Sequence, residues 1–533
     1  MLALLLSGCT AAGPGQPGGG TPPSRGSSAT GSAPPSAAPT AGSVAWVAAE
    51  NARPGTRGWR IPMDRGAVPG LDAYADRVSV LPGQRVGLAV SASGEVVARA
   101  FRMGWYRGVG ARQVWSGRLV AHRRPAARTL DAALPDAGGI RDTRTAVAGW
   151  GTSIVVDTTS WPEGDYVFRL DCGRASRYVP LTVRSATAAG RELLVAGAMT
   201  WQTYNLWGGR SLYGDRAGSF AERSYAVSFD RPYGDGEGAG RFFEYDDPVV
   251  RQAERDGVPL AYATDYDVAL HPALLDGAAA ILLGGHLEYW TGPMRDAVVA
   301  AVHSGTNLAV LGANTAYWRV RLAGRAAPGD ARAAGRRDGE PRIIVGTKDA
   351  ALDPLARTDP AGATAKLRDP PDARREDALT GMQYDCFPAN APMTVADPRW
   401  WGFAGTGVRR GLQLPRVVGP ESDRVYPVPG RPSPEEVVAY TRFACNGHPT
   451  AETSVYWTAP SGAGVFAAGT MRWPCAGSGT CLEFRPGRTQ IIISRVTRNI
   501  LVAFARPRAG RIHPAIDTVA RFWLPARNTT HTV

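Results

Sequence analysis

Lysine is nearly missing from this chain. Only Lys348 and Lys366 occur among 60 basic residues, so arginine carries almost all of the positive charge. A nucleic-acid-binding surface gathers its cations on one face or along one helix, whereas these arginines run from end to end. The net charge of +13 therefore reads as a compositional bias toward Arg, Ala and Gly, and no nucleic-acid partner is expected. No apolar run reaches the ~18 residues of a membrane-spanning helix, which excludes a polytopic membrane protein. No Cys-x-x-Cys pair occurs, so a cysteine zinc site is not expected. No Gly-x-Ser-x-Gly elbow marks a metal-free serine hydrolase.

What is present bounds the fold. Gly and Pro make up about a fifth of the 533 residues, yet 44% of the chain is apolar, enough for sizeable cores and too much for a wholly disordered protein. At roughly 150 residues per domain, the length corresponds to about three or four domain-sized units. The start, Leu6-Ser7-Gly8-Cys9 after a short apolar run, resembles the lipobox of a bacterial lipoprotein. That resemblance implies cleavage before Cys9 and acylation of its thiol, although the positively charged lead-in is missing. The alternative is a frayed apolar terminus. Residues 1–42 are read as this signal plus a Gly/Pro/Ser tether. An anchored, extracytoplasmic protein is the expectation, attached to the membrane through lipidated Cys9. The remaining cysteines are Cys172, Cys386, Cys445, Cys475 and Cys481. Cys475 and Cys481 can close a small loop and Cys386 with Cys445 is a natural second pair, leaving Cys172 unpaired; other pairings stay open.

Residues 43–188 read as an all-β sandwich. Short alternating stretches at 78–80, 86–91, 97–102, 153–157, 166–170 and 178–183 are separated by turns. From 189 to 508 the pattern changes to α/β. Apolar runs at 193–197, 259–264, 279–285 and 307–311 alternate with helical periods, the clearest at 292–304, which predicts a parallel sheet covered on both faces. Residues 325–380 read as a surface excursion. Short strands follow after 382, including 464–469, then a helix over 489–505 and a tail over 509–533.

Polar clusters follow the predicted strands, where ligands of such sheets bind. They are Thr200 to Asn205, Gly284 to Trp290 and Gly312 to Thr315, joined by Ser228 to Tyr233 and Phe243 to Asp247. His286 and Glu288 stand two apart after paired glycines. They suit a general base beside a metal ligand, or equally a cap for the helix that follows. Tyrosines nearby bind metal only as phenolates, a shift that a hard, strong Lewis acid such as ferric iron supplies; any one of them taken alone reads first as a core or rim aromatic, and spacing alone does not lead to iron.

Taken together, Thr203-Tyr204-Asn205, Ser228 to Tyr233, Gly285 to Trp290, Gly312-Ala313-Asn314, Arg368 to Pro371 with Leu379-Thr380-Gly381, and Gly469 to Trp473 resemble the N,N-dimethylformamidase large-subunit family over about 45–505. The resemblance implies an immunoglobulin-like sandwich followed by a ThuA/glutamine-amidotransferase-like domain. It also implies a mononuclear Fe3+ held by two tyrosines and a glutamate, hydrolysing a small amide. On this chain the ligands it implies are Tyr204, Tyr233 and Glu288, with Tyr245 as the fallback second tyrosine. It further implies His286, Asn314 and Glu421 as catalytic residues. His286 or Glu421 would move protons and Asn314 would hold the carbonyl oxygen. The family enzyme has two kinds of subunit, whereas this chain reads as a solitary anchored one, with a homo-oligomer left open. The competing reading is a non-catalytic surface lipoprotein that binds a ligand, for instance a carbohydrate.

Overall fold

A computed structural model describes residues 42–66, 68–130, 138–325, 340–480 and 487–522. Cys9, the tether up to residue 41 and Cys481 lie outside the described residues. The first described element is a helix, α1 (Val44–Ala52), capped by Ser43, whose hydroxyl accepts from Trp46 N at 3.1 Å. This corrects the all-β reading of 43–188. Val-Ala-Trp-Val-Ala-Ala-Glu-Asn-Ala is rich in good helix formers and follows a favourable cap.

Eight strands then build two sheets: β1 (Asp72–Ala75), β2 (Ser79–Val80), β3 (Arg85–Ser91), β4 (Gly94–Met103), β5 (Ala111–Ala121), β6 (Ile154–Asp157), β7 (Gly164–Cys172) and β8 (Ala175–Val183). One sheet has the order β1-β3-β6 and the other β2-β8-β7-β4-β5. The alternating apolar residues of both meet in one core, with Val86, Leu88 and Val90 from one side and Val96, Ala98, Phe168 and Leu170 from the other. Period-two burial of this kind is what makes two sheets stack.

The second half is mixed α/β. It runs through β9 (Glu192–Ala196), α2 (Ala198–Tyr204), α3 (Asp247–Arg255), β10 (Leu260–Thr264), β11 (Ala280–Gly285), α4 (Gly292–Ser304), β12 (Asn307–Gly312), β13 (Glu435–Cys445), β14 (His448–Thr458), β15 (Gly464–Ala467) and α5 (Arg488–Phe504). The central sheet has the order β10-β9-β11-β12-β15-β14-β13. Its first five strands are parallel to their neighbours and the last two antiparallel. The sheet is thus mixed rather than purely parallel. The region after 382 contributes two eleven-residue strands where only short ones were expected.

Both faces of this sheet are covered. Leu193 and Val195, Ile281 and Leu283, and Leu308 and Val310 share a core with Met294, Val298 and Val302 of α4. The intervening Leu194, Leu282, Ala309 and Phe466 share another with Val249 and Val250 of α3 and with Ile493, Val496, Ile500 and Phe504 of α5. Full burial of each such side chain contributes about 1.5–3 kcal/mol. The described part of the expected excursion is also built in. Pro341–Val345 pairs with Ala226–Ser228 and Arg321–Arg325. Among the described residues, no helix is long and apolar enough to cross a membrane.

A buried ion pair joins the halves. Arg102 on β4 donates to Glu254 Oε1 on α3 at 2.6 Å, with both side chains out of solvent. The same guanidinium donates to the Tyr106 hydroxyl, and Trp105 N donates to Glu254 Oε2. Cys386 and Cys445 form a disulfide, Cys475 is also disulfide-bonded, and Cys172 is free.

Candidate active site

The site is gathered from loops beyond the carboxyl ends of β9, β11 and β12, as expected for open α/β sheets. Helix α2 follows β9 after Gly197 and carries Tyr204 at its last position. The chain then turns through Gly208 and Gly209, both in the left-handed region, into the short antiparallel pair Arg210–Ser211 and Gly214–Asp215. Tyr213 sits in that turn and returns to stack on Tyr204, with ring centroids 4.5 Å apart.

β11 ends on Gly285, at φ +23°, where a Cβ would lie 2.0 Å from the Tyr245 ring. Only glycine lets the strand pass that close to the aromatic wall. His286 and Glu288 follow at once. The Glu288 backbone is pinned: its N–H donates to Thr200 Oγ1 at 3.2 Å, and its carbonyl accepts from Tyr317 N and Trp318 N at 2.9 and 3.0 Å. The cap of α4 is Thr291, whose hydroxyl accepts from Met294 N. His286 and Glu288 are therefore not spent on capping.

The Glu288 carboxylate receives both phenols. Tyr204 Oη donates to Oε2 at 2.6 Å and Tyr213 Oη to Oε1 at 2.5 Å, and the two hydroxyls are 3.0 Å apart. His286 Nε2 lies 3.4 Å from Glu288 Oε2 and 3.6 Å from Glu421 Oε2. Asn314, in the left-handed region at φ +53°, donates from Nδ2 to Glu421 Oε2 at 2.7 Å and from its backbone to Asp423 Oδ1 at 2.8 Å. Asparagine tolerates this conformation better than most residues. These groups floor a cavity of about 520 Å3.

Burial dominates the electrostatics. It holds the His286 imidazole down at about 3, helped by the positive charges of Arg241 and Lys348, so the ring is neutral at pH 7 and its bare nitrogen serves as a hydrogen-bond acceptor. Burial raises the Glu421 carboxyl well above the carboxylate range, and the Glu288 charge adds to this. It raises Glu288 as well, against the pull of Lys348 and the two phenol hydrogen bonds. Both phenols are held well above 10 by burial and by Glu288. Two polar atoms of the floor, His286 Nε2 and Asn314 Oδ1, are buried without a hydrogen-bond partner, so the cluster is unsatisfied as it stands.

Of the residues singled out from sequence, Tyr204, His286, Glu288, Asn314 and Glu421 come together here. Tyr233 does not. It lines a different cavity between the halves, beside Trp201, Phe229 and Arg231, and Tyr213 occupies the second-tyrosine place. Tyr245 lines the site cavity with its ring edge-on to His286, and its hydroxyl interacts with Glu244 rather than Glu288. The reason is loop length. The chain comes back nine residues after Tyr204 through a Gly-Gly turn, earlier than motif order alone indicates.

Sequence reasoning also passed over Lys348. Its buried ammonium sits 2.9 Å from the Tyr213 ring centroid and 4.8 Å from that of Trp318, with no hydrogen-bond partner among the described residues. A cation over an aromatic face is held by the ring quadrupole. One signal for it was available, since it is one of only two lysines in an arginine-rich chain.

Three oxygen donors, two of them phenolic, suit a hard trivalent cation such as ferric iron. Among the described residues no cluster of three His, Cys, Asp or Glu side chains is placed to hold a metal, so any such ion here would depend on the tyrosines. No curated protein matches the chain. Residues 97–481, well over half of its length, match the family described as N,N-dimethylformamidase beta subunit-like, C-terminal. The match spans every residue of the cluster, and the chain belongs to the N,N-dimethylformamidase beta subunit-like family.

Proposed function

We propose that the protein hydrolyses the C–N bond of an amide at a mononuclear ferric site held by Tyr204, Tyr213 and Glu288. The observation that carries this reading is the convergence of two phenol hydroxyls on the two oxygens of one buried carboxylate, on the floor of a large cavity. Family membership supports a hydrolase in general. A bound ferric ion would act as a Lewis acid toward a carbonyl and toward water.

The other residues have roles that follow from their geometry. His286 lies between the two carboxylates and points an unpartnered nitrogen into the site, which suits it to accept a hydrogen bond from the attacking water and orient it, the proton that water loses restoring Glu421 once that group has protonated the amine. Glu421 keeps its proton through burial beside Glu288 and is placed to give one to the departing amine. Asn314, held by Glu421 and Asp423, is positioned to hold the developing oxyanion. Lys348 backs the Tyr213 ring, where burial pulls its ammonium well below the ordinary lysine value against the attraction of Glu288.

The likeness of the two halves to immunoglobulin-like and ThuA/glutamine-amidotransferase-like domains belongs to the same proposal. So does an exported, membrane-anchored location through Cys9. It is supported by the Cys386–Cys445 disulfide, a bond that persists in oxidising compartments.

The test is metal content and the visible spectrum of the purified full chain, followed by an amide panel. About one iron per chain with a phenolate-to-iron charge-transfer band, together with amine release from an amide, is the expected result. A folded protein that binds no iron when reconstituted refutes it.

A further inference from the structure

The cavity is much larger than the family's name calls for. A dimethylated formamide, if each of its roughly five heavy atoms takes the ~30 Å3 that a water takes in the liquid, fills about 150 Å3, whereas this open cavity has a volume of about 520 Å3, the size that takes a drug-sized molecule. One side of the remaining space is aromatic. Tyr317, whose backbone N–H is bound to the Glu288 carbonyl, packs edge-on against Tyr384 with centroids 5.2 Å apart. Three residues beyond Tyr384, Phe387 reaches the mouth with 57% of its surface exposed. All three rings line the one cavity, Tyr317 next to the carboxylate floor and Phe387 partly in solvent.

The Phe387 end of this wall is fixed. Cys386, next to Phe387, is disulfide-bonded to Cys445, and the neighbouring Asn446 donates from Nδ2 to the Phe387 carbonyl at 3.0 Å. Cys445 and Asn446 line the same cavity. A part-exposed phenylalanine held in place on the wall of a cavity that two further rings also line is a surface prepared for another ring. Offset and edge-to-face contacts between aromatics add attraction beyond the area they bury. The other charged groups of the lining are already partnered: Arg241 and Glu244 with each other at 3.0 Å, and Asp385 by the Tyr426 and Thr450 hydroxyls, so they do not demand a charged ligand.

We propose that the site takes amides bearing an aromatic ring, with the carbonyl at the Glu288–Asn314 floor and the ring along Tyr317, Tyr384 and Phe387. The placing of the carbonyl rests on the amide-hydrolase reading; the placing of the ring does not.

Binding is measured by calorimetry on the full chain with formanilide (ring on nitrogen), benzamide (ring on the acyl carbon) and dimethylformamide. The expected result is that at least one aromatic amide binds about tenfold or more tightly than dimethylformamide, and that Phe387→Ala removes most of the advantage. Which aromatic amide wins tells which side of the carbonyl carries the ring. Equal binding of all three, or an advantage untouched by both Phe387→Ala and Tyr384→Leu, overturns the proposal. Turnover is read separately. Aromatic amides that bind in this Phe387-dependent way while no amide of the three, dimethylformamide included, is hydrolysed sink the hydrolase reading and leave the pocket assignment standing. Dimethylformamide hydrolysed, and bound as tightly as the aromatic amides, does the reverse.

Discussion

Replacing Tyr213 by Phe removes one hydroxyl and leaves the ring in its stack on Tyr204. That hydroxyl donates to Glu288 Oε1 at 2.5 Å and lies 3.0 Å from the Tyr204 hydroxyl, whose own proton goes to Glu288 Oε2. A hydrogen bond to an ionised partner contributes about 1.5–3 kcal/mol, and truncating the donor leaves a buried carboxylate oxygen unmatched. A loss of about 2–3 kcal/mol is therefore expected in the chelator-treated protein, together with loss of iron on reconstitution. Tyr233→Phe is the control. Its hydroxyl plays no part at Glu288, so a change within about 0.5 kcal/mol and unaltered iron content are expected. Urea unfolding followed through the 15 tryptophans reads the first quantity and elemental analysis the second. The double variant Tyr204→Phe/Tyr213→Phe is expected to depart from additivity by about 0.5 kcal/mol or more, because both donors serve one carboxylate. Equal destabilisation by Tyr213→Phe and Tyr233→Phe, or iron lost from the Tyr233 variant and kept by the Tyr213 variant, refutes the ligand assignment.

Two further outcomes are expected. Asp165 is pushed up to about 7, chiefly by burial, against the Thr182 hydrogen bond and the Arg102 charge. The unfolded chain thus releases this proton near pH 4 while the folded one keeps it. Stability from this group is complete below about pH 4 and is lost as pH rises through about 7. Asp165→Asn, which keeps the acceptor for Thr182, is expected to flatten that fall by on the order of 4 kcal/mol; coincident urea midpoints of variant and parent at about pH 5 and about pH 7.5 would remove Asp165 as the cause. Replacing both Cys386 and Cys445 by Ser opens a loop whose ends are 59 residues apart. It is expected to cost about 4 kcal/mol by chain entropy, read as the shift of the parent's urea midpoint when the pair is removed.

The sequence was legible where structure is local. Strands β3, β4, β7 and β8 announce themselves by period-two alternation, and β9, β11 and β12 by short apolar runs ending in small residues. Helices α4 and α5 follow from their stripes. The sequence stopped short where burial is one-sided or pairing is distant. β5 alternates only weakly because most of it is half-exposed at a sheet edge. The β13–β14 hairpin carries a strong local signal, Asn446-Gly447 between its strands, which the reading left unused. The site divides the same way. Tyr204, His286, Glu288 and Asn314 each follow a strand by a few residues and could be placed by that rule. Tyr213 and Lys348 reach the cluster through a glycine turn and a positive-φ loop, and no spacing in the chain encodes where those loops return.

The joint between the two halves has a consequence for motion. Arg102 and Glu254 are locked together without water, and the connecting stretch is itself fastened. Ser185 N donates to the Tyr262 carbonyl, Arg191 binds Glu163 at 2.6 Å, and Arg184 lies 3.4 Å from Asp267. Hinge closure needs a few residues free to absorb large backbone rotations, and these contacts tie down both ends of the stretch. Substrate entry and product exit must then be accommodated by side chains and loops at the cavity rim while the scaffold behind them stays still. That ties the turnover rate to the local stability of a few rim residues rather than to the opening of one half against the other.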